Sequence, residues 1–112
     1  MKEIDLYFGN SYNLTATIKD TSGNIVNISG KTVIFTVKRF KDLNDKDDTK
    51  KVIQKIITNH SDPANGKTVI SLTSDDMKIA EGFYYADIKI PELSRNSVEL
   101  YKINVKPVVT RT

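Results

Sequence analysis

An acid-rich stretch near the middle of the chain carries the residues best suited to metal chemistry. Five side chains there offer oxygen ligands of the kind that Ca²⁺ prefers: Asp42, Asn44, Asp45, Asp47 and Asp48. The spacing does not fit an EF-hand, because counting from Asp42 places Ile53 at the twelfth position, where a bidentate Glu belongs. Lysines flank the cluster and compensate its charge. We therefore expect a charged, mobile loop over residues 40–50 and no metal site.

Two further groupings contain residue types that enzymes use. His60, Ser61 and Asp62 are the types of a hydrolase triad, but direct neighbours in a turn cannot place the base between the nucleophile and the acid. Asp75 and Asp76 also point apart as neighbours, which favours capping over paired glycosidase acids. The chain has no cysteine and neither of the common Gly-rich phosphate-binding patterns. The sequence predicts a protein that is not an enzyme and holds no cofactor.

Outward-facing aromatic residues are the strongest candidates for a binding role. If Tyr84 faces the core of its strand, then Phe83 and Tyr85 face outward, and the same argument turns Ile34 outward on its own strand. Outward aromatic side chains on strands are typical anchors of protein–protein contacts. The alternative is that a loop or terminus of the same chain covers them.

The elements that position these residues are strands, because a period of two dominates the hydrophobic pattern. Each alternating run predicts a strand with one buried face. The runs cover residues 4–8, 12–18, 33–37, 69–72 and 84–90. Residues 51–58 have helical spacing of apolar side chains, but these are β-branched, so we expect a strand there as well.

Two segments are less regular. Residues 74–80 are expected to form one helical turn with Ser74 or Asp75 as its N-cap. In the last strand Val98 and Leu100 share one parity while Ile103 and Val105 share the other. A bulge at residues 101–102 would return both pairs to the same face.

Turn signals separate the strands. Residues 20–24 predict a tight hairpin in which Gly23 takes a positive φ, and residues 62–66 form a second strong turn cluster. Pro91 and Pro107 are expected to end strands, since proline cannot donate to a ladder. These features predict one all-β domain over residues 1–112, an antiparallel immunoglobulin-like β-sandwich of about seven to eight strands. Tyr84 lies where a tyrosine corner of that fold would fall, and the alternative is an ordinary aromatic residue of the core.

Composition limits the partners. The 112 residues carry 17 basic and 14 acidic side chains, a formal charge of +3, and the arginines are scattered, so specific nucleic-acid binding is not expected. The N-terminus lacks the apolar run of a signal peptide, and no apolar stretch is long enough for a membrane span. From these features we expect a protein made in the cytoplasm that does not associate with a membrane.

The sequence of turns and strands resembles a known family. The matching segments are residues 9–14, 18–24 and 26–38, then Gly66 with its following strand, residues 75–79 and 82–85, and the closing run 103–111. Together they resemble the immunoglobulin-like module of tailed-bacteriophage virion proteins, including the N-terminal domain of baseplate upper proteins. The resemblance covers nearly the whole chain and implies no catalytic residues.

The resemblance implies a structural component of a phage or prophage virion, in the head, neck or tail. Its partners would be other virion structural proteins and further copies of itself. The contact residues come from the strand pattern and not from the resemblance: Phe83, Tyr85, Ile34 and Tyr101, with residues 107–112 as a docking arm that includes Pro107 and Arg111. The alternative is a carbohydrate- or cell-surface-binding module in which Phe83, Tyr85 or Tyr101 stacks on sugar rings.

Overall fold

The computed structural model describes residues 2–43, 49–93, 95–96 and 100–109. Eight strands lie within these ranges, with short 3-10 turns at Phe40–Asp42, Pro63–Asn65 and Pro91–Leu93. The strands are β1 Lys2–Tyr7, β2 Tyr12–Thr17, β3 Val33–Arg39, β4 Ile53–Ile57, β5 Lys67–Leu72, β6 Gly82–Ile90, β7 Arg95–Asn96 and β8 Tyr101–Lys106. Most of the acidic cluster, together with Val98 and Arg111, falls outside the described residues.

The strands form two layers. The larger sheet has the order β1-β8-β6-β3-β4, with β7 also pairing with β6, and the smaller sheet consists of β2 and β5. This arrangement, with the second and fifth strands in one layer and the third, sixth and eighth in the other, is the immunoglobulin order. The predicted all-β immunoglobulin-like sandwich is confirmed.

One strand pairing departs from the antiparallel prediction. β1 runs parallel to β8, with Ile4 opposite Ile103 and Leu6 opposite Val105. The other pairs of the same sheet, β8 with β6, β6 with β3, β3 with β4 and β6 with β7, are antiparallel. The alternation of apolar residues is the same in both directions, because side chains alternate along a strand whichever way its neighbour runs. The hydrophobic pattern therefore predicted the strand but not its direction.

The core lies between the two sheets and follows the predicted parity. Among the residues that the structure describes, seventeen apolar side chains are buried there: Leu6, Ala16, Ile18, Ile28, Val33, Phe35, Val37, Ile53, Ile70, Leu72, Met77, Tyr84, Ala86, Ile88, Ile90, Ile103 and Val105. Alternate residues of β3 and β6 supply much of this core. These two strands pair with each other at the centre of the larger sheet. Burial of one face per strand is the main stabilising contribution to such a sandwich.

Tyr84 forms the predicted tyrosine corner. Its hydroxyl donates a hydrogen bond of 2.6 Å to the carbonyl oxygen of Ala80, four residues upstream, while its ring is buried. The bond ties the turn before β6 to the body of the domain and gives the buried hydroxyl a partner.

The predicted hairpin at residues 20–24 is confirmed. The backbone N–H of Gly23 donates to the Asp20 carbonyl, and Gly23 has a φ of +84°. The Asp20 carboxylate accepts from the backbone N–H groups of Ser22 and Asn24, both at 2.9 Å. Asp20 therefore organises the turn through its side chain, as Asp commonly does.

Two local predictions need correction. Residues 74–77 form the single turn that was predicted, closed by a 3.3 Å bond from the Met77 N–H to the Thr73 carbonyl, but it does not extend to residue 80. Its cap is Thr73 and not Ser74 or Asp75, because the Thr73 hydroxyl accepts from the N–H of Asp76 while the Thr73 N–H donates to the Asp76 carboxylate. No bulge interrupts residues 101–102, because β8 pairs with β6 residue for residue from Tyr101 onward. Leu100 precedes the strand and is exposed, so its parity places no constraint on β8.

Candidate protein interface on the outer face of the larger sheet

The face of the larger sheet that points away from β2 and β5 is here called the outer face. On it Ile34 of β3 lies directly opposite Ile56 of β4, and Tyr85 of β6 lies between Lys38 of β3 and Lys102 of β8. Directly opposite side chains in antiparallel strands lie about 5 Å apart at Cβ, so these residues form contiguous rows. The sheet register therefore joins residues that are far apart in sequence.

Phe83 is the most prominent aromatic side chain of the outer face. It is 56% exposed, which is unusual for a residue of its size. The Lys102 ammonium lies 4.5 Å from the centroid of the Phe83 ring, a cation–π arrangement that holds the ring across the β6–β8 pair. Lys102 also lies 3.9 Å from the Glu3 carboxylate of β1. These contacts position the ring but leave much of its surface accessible to a partner.

A cleft of about 540 Å³ lies beside these rows. Its floor comes from β3 and β6, including Ile34, Thr36 and Tyr85, and its rim includes Leu43, Pro91 and Leu100. Lys38, Asp87 and Lys89 add charged groups to the lining. A concave site that combines apolar walls with a few charged groups is suited to a protruding side chain or a small ligand.

The structure brings together three of the predicted contact residues. Ile34 and Tyr85 line the cleft, and Phe83 lies two positions from Tyr85 on the same face. Pro107 follows β8 and is exposed, as is Val109.

Tyr101 was predicted to join this group, and that placement is wrong. Tyr101 shares the inward parity of Ile103 and packs against the core, because it pairs with Ala86, whose side chain is buried. Its ring is therefore on the opposite side of the sheet from Phe83 and cannot contribute to the same surface.

Sequence reasoning missed three apolar residues of this surface. Ile56 is 65% exposed, and Leu43 and Leu100 are each exposed at the cleft. The sequence does indicate the direction of the Ile56 side chain. Once residues 51–58 are treated as a strand, Ile53 faces the core, and Ile56, three positions later, faces the opposite side of the sheet. Leu43 and Leu100 lie outside regular strands, where no period indicates their direction.

His60 has a structural role. Its Nε2 lies 2.7 Å from the Lys31 carbonyl oxygen, which can only accept, so Nε2 is the donor. Its Nδ1 lies 2.9 Å from the hydroxyl of Thr68, which is fully buried. The imidazole thus links the segment before β3 to β5, while Asp62 receives a bond from the Asn65 side chain and not from His60.

Asp76 lies at the side of the sandwich, where an ion pair connects the two layers. Its carboxylate is 2.6 Å from Nζ of Lys55, which projects from β4, while Asp76 itself belongs to the turn after β5. Burial acts to raise the pKa of Asp76, but the hydrogen bonds from Lys55 and Thr73 outweigh it and hold the pKa below the ordinary value of 3.8.

The lowered pKa predicts a pH dependence of stability. The folded state favours the carboxylate, so the stabilisation by Asp76 is present above its unfolded pKa and is lost as the pH falls from about 5 through the lowered folded pKa. The pair is partly solvated, so we expect a contribution of at most about 1 kcal/mol. Urea unfolding at a series of pH values should show a shallower acid loss for Asp76→Asn than for the unmodified chain. Asp75→Asn is the control, because the side chain of Asp75 is 88% exposed.

The described residues contain no group of three or more His, Cys, Asp or Glu side chains placed to share a metal ion. Nor does any helix in the described ranges have the length and apolar character to cross a membrane.

Comparison with known proteins assigns no family. No family model matches the chain, and no curated protein matches it. Among solved structures, one described as Tim-2 aligns with 98% of this chain and 96% of its own, at 15% identity and a TM-score of 0.45. The immunoglobulin-like fold is therefore shown by the strand order and the buried core of this chain.

Proposed function

We propose that this protein is a non-enzymatic structural component of a phage or prophage virion, and that it acts by protein–protein contacts through the outer face of the larger sheet. The observation that carries the proposal is the apolar and aromatic character of that face, where Ile34, Ile56, Tyr85 and Phe83 occur on three neighbouring strands. Exposed apolar side chains grouped on one face mark interaction surfaces more often than scattered single ones. The virion context is supported by the resemblance of the turns and strands to virion modules.

The side chains of the outer face also indicate what kind of partner surface would fit it. Lys38, Lys89 and Lys102 flank the apolar rows, so a matching surface would offer apolar side chains at its centre and carboxylates around them. The charged groups would set orientation and the association rate, while the rings would contribute most of the affinity.

A second candidate function, carbohydrate binding, is favoured by the cleft itself. Tyr85 lines it together with Thr36, Asp87 and Lys89, which combines an aromatic ring with groups that hydrogen-bond hydroxyls. Phe83 lies beyond the residues that line the cleft, so on this hypothesis Tyr85→Ser abolishes sugar binding and Phe83→Ser does not.

Copurification with particles tests the assembly proposal. A tagged chain expressed during particle production should band with particles on a density gradient, and the double variant Phe83→Ser, Tyr85→Ser should lose this association. Each ring is expected to contribute at least a tenfold effect, so the pair should weaken binding by about a hundredfold. Ile25→Ser is the matched control, because Ile25 is 52% exposed but lies in the hairpin after β2, away from the outer face.

The outcomes separate the hypotheses. Full particle association by the double variant would remove the outer-face proposal. Absence of the unmodified chain from particles, with saturable sugar binding by a monomer, would favour the carbohydrate alternative.

A further inference from the structure

β2 has an edge whose backbone groups are not paired within the described chain. The N–H of Ile18 donates to the Gly66 carbonyl at 2.8 Å, in the same register that pairs Ala16 with Thr68 and Leu14 with Ile70. In an antiparallel ladder alternate residues bond to a given neighbour, so the even-numbered residues of β2 bond to β5. Asn13, Thr15 and Thr17 therefore direct their N–H and C=O groups to the opposite edge. No described residue pairs with β2 on that side.

This edge carries none of the usual protection against strand addition. β2 reads Tyr-Asn-Leu-Thr-Ala-Thr, without charge, proline or glycine. In contrast, the free edge of β1 includes the charged Glu3 and Asp5, and the outer edge of β5 is partly covered by the bridge between Asp62 and Lys67. Proteins commonly guard exposed edges with charge or cover.

An opening of about 220 Å³ lies beside the same edge, lined mostly by apolar side chains but also by Lys2 of β1. Ile4 of β1, Leu14 of β2 and Tyr101 of β8 line it, and Phe35 and Ile70 contribute from the two facing sheets. The core of the sandwich is thus open to the surface between β1 and β2. A strand added to β2 would place its inward side chains at the mouth of this opening.

We propose that the β2 edge pairs with β2 of a second copy of this chain, antiparallel and about a twofold axis at Thr15. The three outward residues are evenly placed around Thr15, so Asn13 of one copy lies opposite Thr17 of the other and Thr15 lies opposite itself. Each of the three pairs exchanges two backbone hydrogen bonds, which gives six in all. The two small sheets become one four-stranded sheet, β5-β2-β2-β5.

Side chains support a second copy as the occupant. On the inward face this register places Leu14 of one copy opposite Ala16 of the other, a large residue against a small one, at the mouth of the opening. On the outward face only neutral side chains meet, so no like charges oppose the pairing. The surface is separate from the outer face proposed above, and the pairing does not depend on the virion role.

Cysteine crosslinking tests the register directly, because the chain contains no cysteine of its own. Thr15→Cys should form a disulfide-linked dimer under mild oxidation, since hydrogen-bonded antiparallel pairs have Cα atoms about 5.5 Å apart. Asn13→Cys and Thr17→Cys should each crosslink poorly alone but readily when mixed. Equal crosslinking by all three single variants, or none by Thr15→Cys, would overturn the proposal.

Charge variants test the pairing without oxidation. Thr15→Lys and Thr15→Glu should each raise the dimer dissociation constant measured by sedimentation severalfold, and an equimolar mixture should recover it, because opposite charges then face each other. Thr15 is exposed on β2, and circular dichroism should show that both variants fold. A chain that stays monomeric at high concentration, or a dimer unaffected by either charge, would contradict a second copy at this edge and leave another polypeptide as its occupant.

Discussion

Replacing Phe35 by alanine is expected to lower the free energy of unfolding by about 3–5 kcal/mol. Phe35 is 2% exposed at the centre of β3 and contacts the interior between the two sheets, where Ile88 of β6 is its neighbour in register. The substitution removes apolar area from the core and leaves a cavity that the flanking strands cannot close. Since domains of this kind have about 5–15 kcal/mol of stability, the loss is a large fraction of the total. Urea titration followed by circular dichroism measures it.

Phe83→Ala provides the matched control for this prediction. The chemical change is the same, but Phe83 is 56% exposed and its ring contacts the Lys102 ammonium and not the core. We expect a loss of about 1 kcal/mol or less, from the cation–π contact and partial burial. Similar losses for the two variants would contradict the assignment of inward and outward faces on β3 and β6.

Gly66→Ala is expected to cause the second large loss of stability, lowering the free energy of unfolding by about 3 kcal/mol or more. Gly66 has a φ of +70°, which already costs an alanine about 1–2 kcal/mol. A Cβ at this position would also lie 2.8 Å from the carbonyl oxygens of both Ile18 and Val26. These are backbone atoms at the junction of the 62–66 turn with the end of β2, so relief requires the two segments to separate.

Gly30→Ala isolates the steric part of that effect. Gly30 has a φ of +71°, nearly the same as Gly66, but a Cβ there would meet nothing within 4 Å. Its cost should be limited to the backbone strain, about 1–2 kcal/mol. Thermal unfolding of both variants measures the difference, and equal melting temperatures would show that the close approach of the turn to β2 is not present in solution.

Much of the fold was predictable because burial on one face leaves a period of two in the sequence. The inward residues of β3 and β6 were identified from that alternation alone, and the β-branched residues at 51–58 correctly indicated β4. The tyrosine corner was predictable because the position of Tyr84 relative to its strand is characteristic of the fold.

The remaining features depend on contacts that are distant in sequence. Nothing in the residues of β1 specifies a parallel pairing with β8, since both directions bury Ile4 and Leu6 equally. Tyr101 was misplaced because the apolar Leu100 before it shifted the apparent parity of the last strand. Thr73 was missed as a cap because its reciprocal bonds with Asp76 stabilise a turn too short to show helical spacing.

The candidate interface was predictable only in part, for the same reason. Ile34, Phe83 and Tyr85 follow from strand parity, but the neighbours that make them a surface follow from sheet order. Leu43 and Leu100 reach the cleft from irregular segments more than 50 residues apart in sequence. That these two side chains lie at the same cleft is visible only in the tertiary structure.

Hydroxyl-radical footprinting of the free chain and of the chain in assembled particles tests the central claim, that the outer face is the assembly surface. In the free chain Phe83 should be readily oxidised and the buried Phe35 should not. In particles Phe83 and Tyr85 should become strongly protected while Ile25, which is exposed away from that face, keeps its reactivity. Unchanged oxidation of Phe83 and Tyr85 in particles, with protection elsewhere, would contradict the account.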